Sequence, residues 1–373
     1  MIAPAWRPLA NAGTIAIVES TAHPSSAERW LSEAVAQTWP GARAGNTVAL
    51  RGDLSTRRFW RVHLEAAADA AAGVPSTAIL VDFGPDDLPP YARILKLVAE
   101  PLEEPPWTNL HRFLVALGAP VPALYAAEPK QRAMLVEDVG DDALFVAAKR
   151  DAPHAADLYR LAIETLLVFH VDGTRRIEPR CVASQIAYDA RLFEWEFKEF
   201  REIGVATVAP GTAPSALAPE LASLAARLGR YPRVFSHRDY HGHNLYLQPG
   251  PRLRVIDFQD ALMAPAAQDL AVLLTTRDTA DVITQALERR LLDFYCAGLA
   301  RRGAVQMSAG EFLQSYRLCV LQHALKMIGR FLDFDRAGKS GYAQYVPYVL
   351  EQTRRMLAEQ GGDFPRLRAA LAA

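Results

Sequence analysis

The chain has 373 residues, 22% of them charged and 50% hydrophobic, with a formal net charge of −1. That balance supplies no long-range field for nucleic acid or an anionic membrane surface, and the length allows about two separate cores. No apolar run approaches the roughly 20 residues that span a bilayer, and the N-terminus carries no signal-peptide pattern, so a cytoplasmic protein without membrane segments is expected. Three cysteines, Cys181, Cys296 and Cys319, are widely spaced and show no CxxC pairing, which argues against a disulfide framework and against zinc.

In chain order, residues 1–44 are expected to form an N-terminal extension holding one helix, SSAERWLSEAVAQT (25–38). Residues 45–139 read as short strands, VAL (48–50), FWRVHLEA (59–66), TAILVDF (77–83) and RAMLVEDV (132–139). Polar, Gly- and Pro-rich turns divide them, and one helix, WTNLHRFLVALG (107–118), interrupts them. The spacing of apolar residues predicts helices over 154–173, 181–204, 216–229, 282–302, 309–334 and 344–360. Residues 204–219, small and Pro-containing, are expected to form a long loop that could act as a lid. A small sheet-rich part (45–139) followed by a larger helical part (140–373) is an α+β arrangement, with a cleft expected between the two.

The densest polar stretch is FSHRDYHGHNLYL (235–247). His237, His241 and His243 suit a zinc site poorly, because Gly242 and Asn244 favour a loop and no second His or Cys cluster completes a ligand set. LYL and LRVI are short apolar strands around the turn QPGPR. A hairpin centred between Gly250 and Pro251 places Asn244 opposite Asp257 at its open end, with Asp239 upstream in the same loop. An amide and a carboxylate suit a hard ion such as Mg²⁺ bound together with substrate phosphates, and Asp239 is left to take a proton from an attacking hydroxyl. For any one of these residues a turn-capping role would suffice; the three together point to phosphoryl transfer.

HRDYHGHN matches the kinase catalytic-loop pattern H-R-D-x-x-x-x-N, and IDF follows at the place of the metal-binding aspartate. With DLAVLL (269–274) beyond it, the chain resembles the aminoglycoside phosphotransferase and choline kinase group over roughly residues 45–335. DYHGHNL, DFQDA and AP-x₃-DL, together with GDLSTRRFWRV (52–62), resemble the bacterial anomeric N-acetylmuramate and N-acetylglucosamine kinases within it. The resemblance implies the bilobal protein-kinase-like fold, a small antiparallel-sheet N-lobe and a larger helical C-lobe, with ATP and Mg²⁺ as cofactors. It gives Asp239 the role of catalytic base, makes Asn244 and Asp257 metal ligands, and leaves His237 and Arg238 to brace the loop. Asp269 would tie the following helix back to that loop. Gly52, Ser55 and Thr56 would cover the phosphates, and the backbone at Glu137 and Val139 would face the adenine.

The sequence departs from that pattern in three places. The strand AILVDF has no phosphate-binding lysine; since Trp60 and Val62 should face the core, Arg57 on the other face is the first candidate to replace it, then Lys96. VDFG (81–84) precedes the catalytic loop and is read as a strand entering a turn. Ala264-Pro265 and Gln268-Asp269 stand where the sugar kinases have Gly-Pro and Tyr-Asp, beside the acceptor pocket. The expected acceptor is the 1-hydroxyl of an amino sugar, held near Gln259, Asp260 and Arg277. The alternatives are an aminoglycoside, choline or other amino alcohol as acceptor, or an inactive nucleotide-binding scaffold.

Overall fold

The computed structural model describes residues 26–50, 57–67, 73–83, 90–98, 104–339 and 341–372. They divide into two compact units, one from Met1–Asp87 and Pro122–Gly140, the other from Leu88–Val121 and Asp141–Ala373. Residues 88–121 therefore go with the helical unit, although sequence order suggested the sheet-rich part. The reason lies in Pro106–Leu117, whose buried face of Trp107, Leu110 and Leu114 packs within that unit, with the Trp107 and Phe258 rings 5.1 Å apart at a tilt of 41°.

The smaller unit is a five-stranded antiparallel sheet, β1 (Ala42–Leu50), β2 (Arg58–Ala66), β3 (Thr77–Asp82), β4 (Leu124–Glu128) and β5 (Ala133–Glu137), in the order β1-β2-β3-β5-β4. β4 escapes the sequence reading because LYAAE is short and alanine-rich and gains strand geometry only by pairing with β5. The helix Ser26–Thr38 covers one face of the sheet: Leu31 and Val35 meet Val62, Ala78, Leu80 and Leu135 in one buried cluster. As strand alternation requires, Val62 is sealed and Trp60 packs against that cluster, while Arg61 points to the opposite face.

The larger unit is helical around two short strand pairs, β6 (Arg233–Ser236) with β9 (Leu262–Pro265) and β7 (Leu245–Gln248) with β8 (Arg252–Val255). Its longest element, the helix Ala309–Arg336, opens on a capping box between Ser308 and Glu311. The helix Ala155–Leu167 runs on into a π-helical turn, Val168–Gly173. The lid-like loop is not found. Residues 200–208 continue as π- and α-helical turns and the helix Pro214–Leu228 starts directly on a proline, whose fixed φ suits a first helical position. Among the described residues, no helix is long and apolar enough to cross a membrane.

Candidate active site

β6 delivers the chain to Ser236, and the segment from His237 to Asn244 is folded by its own hydrogen bonds. The Asp239 carbonyl accepts from His241 N at 3.0 Å and from Asn244 Nδ2 at 2.9 Å, and Asn244 N donates to His241 O at 2.9 Å. Gly242 is needed where it stands, because a Cβ there would lie 2.8 Å from Phe145 Cβ. Arg238 takes a left-handed backbone (φ 76), a strained conformation for a residue that carries a Cβ. Asp269 holds it there: its carboxylate accepts His237 N and Arg238 N, each at 2.8 Å, and also His170 Nε2 at 3.0 Å. The aspartate expected to tie the helix back to the loop does so through two hydrogen bonds, and a third joins it to the turn that carries His170.

The hairpin forms with a register one residue away from the sequence expectation. Leu245 pairs with Val255 and Gln248 with Arg252, so the turn centres on Gly250, whose φ of 80 permits a three-residue connection, and Asn244 faces Ile256. Asp257 comes one residue later and turns the chain with a left-handed φ of 63. Asn244 O accepts from Ile256 N at 3.0 Å, and His237 Nε2 donates to Ile256 O at 2.9 Å, so both sides of the catalytic segment are stitched next to Asp257. Gln259 Nε2 then donates to Asp257 Oδ1 at 2.9 Å.

Among the described residues no group of three His, Cys, Asp or Glu could hold an ion. Asn244, however, commits its amide nitrogen to Asp239 O, which turns its oxygen the other way, and Asp257 adds a carboxylate. An amide oxygen and a carboxylate are a fitting partial set for Mg²⁺, which takes its remaining ligands from phosphates and water.

Around Asp239 lies a buried charge network that was not foreseen. Arg238 Nη2 donates to Glu196 Oε1 at 2.9 Å, its Nη1 stands 3.4 Å from Asp260 Oδ2 and 3.9 Å from Asp239 Oδ2, and its guanidinium lies 4.3 Å over the Tyr91 ring. Lys326 pairs with the other oxygen of Glu196. Burial alone would push the Asp239 carboxyl up, but the charges of Arg238 and Lys326 outweigh it and hold the carboxyl at about 2. Its side chain keeps 37% exposure, so the carboxylate is ionised, reachable and electrostatically pinned. Burial and the Lys326 charge bring His323 down to about 3, which keeps that neighbour neutral. Gly329, one turn beyond Lys326, permits this assembly, because a Cβ there would run into the backbone of Glu199 and Phe200.

The other expected residues fall in separate places. Arg277 is in the larger unit, within 4.8–5.7 Å of the rings of Tyr345, Tyr342 and Phe331, an aromatic nest rather than the Arg238–Asp260 network. Lys96 also belongs to that unit, in a turn after Pro90–Ile94 with φ 51, and not on the sheet where a phosphate lysine would stand. In the smaller unit Arg57 directly precedes β2, and Arg61 grips Asp138 through Nε at 2.6 Å and Nη2 at 3.1 Å. Glu137 N already donates to Ala123 O at 2.8 Å, so its N–H cannot serve an adenine as the hinge reading allowed. Gly52, Ser55 and Thr56 lie outside the described residues.

Residues 48–305 match the phosphotransferase enzyme family. The chain belongs to that family. It is a phosphotransferase with a hydroxyl group as acceptor. The chain is similar to the N-acetylmuramate/N-acetylglucosamine kinase of Caulobacter vibrioides, 28% identical over 321 residues that cover 80% of this chain and 84% of the relative. A protein of the same name from Pseudomonas aeruginosa is 26% identical over 324 residues, 84% of each chain. Among solved structures, the choline kinase of Cryptosporidium parvum superposes with a TM-score of 0.56 at 12% identity, over 89% of this chain and 94% of that one. The five-stranded sheet and helical remainder of this phosphotransferase are accordingly a protein-kinase-like fold.

Proposed function

We propose that this phosphotransferase uses ATP and Mg²⁺ to phosphorylate the 1-hydroxyl of an amino sugar such as N-acetylmuramate or N-acetylglucosamine, in the cytoplasm and in the service of cell-wall recycling. The observation that carries the chemistry is the pinned Asp239 carboxylate, in a loop whose Asn244 is hydrogen-bonded beside the start of the Asp257 turn. The names of the two relatives support the sugar.

In this reading the Asp239 carboxylate accepts a hydrogen bond from the acceptor hydroxyl and aims its oxygen at the terminal phosphoryl group. Held at about 2, it is a weak base, so it orients the hydroxyl first and takes the proton as the O–P bond forms. Asn244 and Asp257 would hold Mg²⁺, which supplies neutralisation of phosphate charge when bound. Gly52, Ser55, Thr56 and Arg57 would attend the phosphates, and Val139 with the Glu137 carbonyl would meet the adenine. Gln259 and Asp260, joined to Asp257 and Arg238 respectively, are the nearer acceptor candidates; Arg277 would reach the acceptor only from its aromatic nest.

The test is transfer of labelled phosphate from ATP to a panel of amino sugars, aminoglycosides and choline, by the wild type and Asp239→Asn. Transfer to an amino sugar, lost in the variant, is expected. Preference for choline or an aminoglycoside would overturn the acceptor, and equal rates in both proteins would overturn the mechanism.

A further inference from the structure

Around His170, whose Nε2 meets Asp269, the larger unit contains a cavity of about 390 Å³. None of the residues assigned above to phosphoryl transfer lines it. Its floor is His170 and Tyr295, both sealed from solvent, and its walls include Val171, Leu299 and Phe312. Val305, 61% exposed, stands at the rim. The volume falls in the range of small-molecule sites, about 300–1,000 Å³, and is too small for a helix or a folded partner.

The walls are mostly apolar, with Thr174 and Gln306 among them, and one arginine stands among the lining residues. Arg175 donates Nη2 to Arg302 O at 2.6 Å and to Gly303 O at 3.2 Å, and among the described residues no carboxylate pairs with it. A guanidinium fixed by neutral carbonyls beside an apolar pocket complements a molecule with a hydrocarbon body and one negative end. The floor is connected to the catalytic loop. The Tyr295 hydroxyl meets His170 Nδ1 at 2.8 Å, His170 Nε2 donates to Asp269, and Asp269 accepts the backbone N–H groups that hold Arg238 in its strained conformation. His170 also sits in the π-helical turn, an irregularity that often marks functional positions.

We propose that this cavity is an effector site for a monoanionic amphiphile of the size of a medium-chain carboxylate. Its hydrocarbon part lies against Val171, Leu299 and Phe312, its carboxylate meets Arg175, and occupancy changes catalysis through His170 and Asp269. His170 and Tyr295 are sealed, so occupancy acts on them through the side chains packed over them, and it changes catalysis only as far as the molecule binds one arrangement of the loop better than another.

Cys296 lines the cavity and supplies a readout independent of activity, while Cys181 and Cys319 are buried and act as internal controls. Burial pushes the Cys296 thiol up, so labelling is run with a maleimide at mildly alkaline pH and followed by mass spectrometry on the full chain. Octanoate at about ten times its dissociation constant should slow labelling of Cys296 about tenfold, because only the unoccupied protein exposes the thiol. Arg175→Ala should weaken octanoate about tenfold, the loss of one charge-assisted contact. Val305→Trp, a rim substitution, should block access while leaving folding intact by circular dichroism. The rate of phosphoryl transfer should change with octanoate in the wild type and stay flat in Val305→Trp. Absence of protection would overturn the site, equal protection by octanol would overturn its anionic character, and protection with an unchanged transfer rate would overturn the coupling.

Discussion

Glu196→Gln is the sharpest test of the charge network. The glutamate is 2% exposed and divides its two oxygens between Arg238 and Lys326. Burial alone would raise its carboxyl; the nearby cations, Lys326 first, then Arg238 and Arg330, bring it from an ordinary 4.5 down to about 2. That gap, at 1.36 kcal/mol for each tenfold in acidity, is worth roughly 3 kcal/mol. Breaking a buried ion pair by neutralising one partner costs a similar amount, about 3–5 kcal/mol. Because the folded value lies below the unfolded one, the contribution is complete above about pH 4.5 and is lost only as the pH falls through about 2. The variant should therefore be less stable by roughly 3 kcal/mol, and by the same amount at pH 6 and pH 8. Urea unfolding followed by tryptophan fluorescence would measure it, Trp195 being the preceding residue. In a Lys326→Met background the same change should cost at least about 1 kcal/mol less, because one of the abandoned cations is already gone. A loss below about 1 kcal/mol, or strict additivity of the two changes, would refute the view that this glutamate neutralises both cations.

Lys326→Met should raise the Asp239 pKa by removing one of the charges that lower it; the acid limb of kcat/KM would then move to higher pH, and an unmoved profile would count against the assignment. Gly329→Ala should destabilise by about 1–3 kcal/mol in urea unfolding, since its Cβ meets backbone that cannot yield. Gly310→Ala, with nothing within 4 Å of its Cβ, should instead be neutral or stabilising by up to about 1 kcal/mol. Asp257→Asn should raise the Mg²⁺ concentration for half-maximal transfer by about tenfold or more, read in a metal titration at saturating ATP.

The parts of the site that the sequence disclosed are those in which chemistry and local geometry share one stretch of chain. His237 to Asn244 carries its own turn, and the apolar–turn–apolar pattern up to Val255 reveals the hairpin. The one-residue error in its register arose because a proline on each side of Gly250 hides which residue occupies the left-handed corner. Glu196 and Lys326 gave no local signal, because their meeting depends on two distant helical segments crossing at Gly329, a contact that only the folded chain creates. The same holds for Pro106–Leu117, which sequence order placed among the strands and tertiary burial placed among the helices. In the smaller unit, simple alternation along β2 foretold that Val62 and Trp60 turn toward the core, but not that Asp138 would claim Arg61.

The wide turn at Val168–Gly173 has a consequence for anyone shortening or redesigning this chain. A regular α-helix advances about 100° per residue, so excising a single amino acid from the turn would swing everything on one side of it by about that angle relative to the other. Local hydrogen bonding would improve, and a scan of helix propensity would welcome the deletion. Yet His170 could then no longer reach Asp269 and Tyr295 while Thr174 still meets Phe235. The extra residue acts as a phase setter, and deletion scanning should find this short window intolerant although neither of its ends touches a reactant.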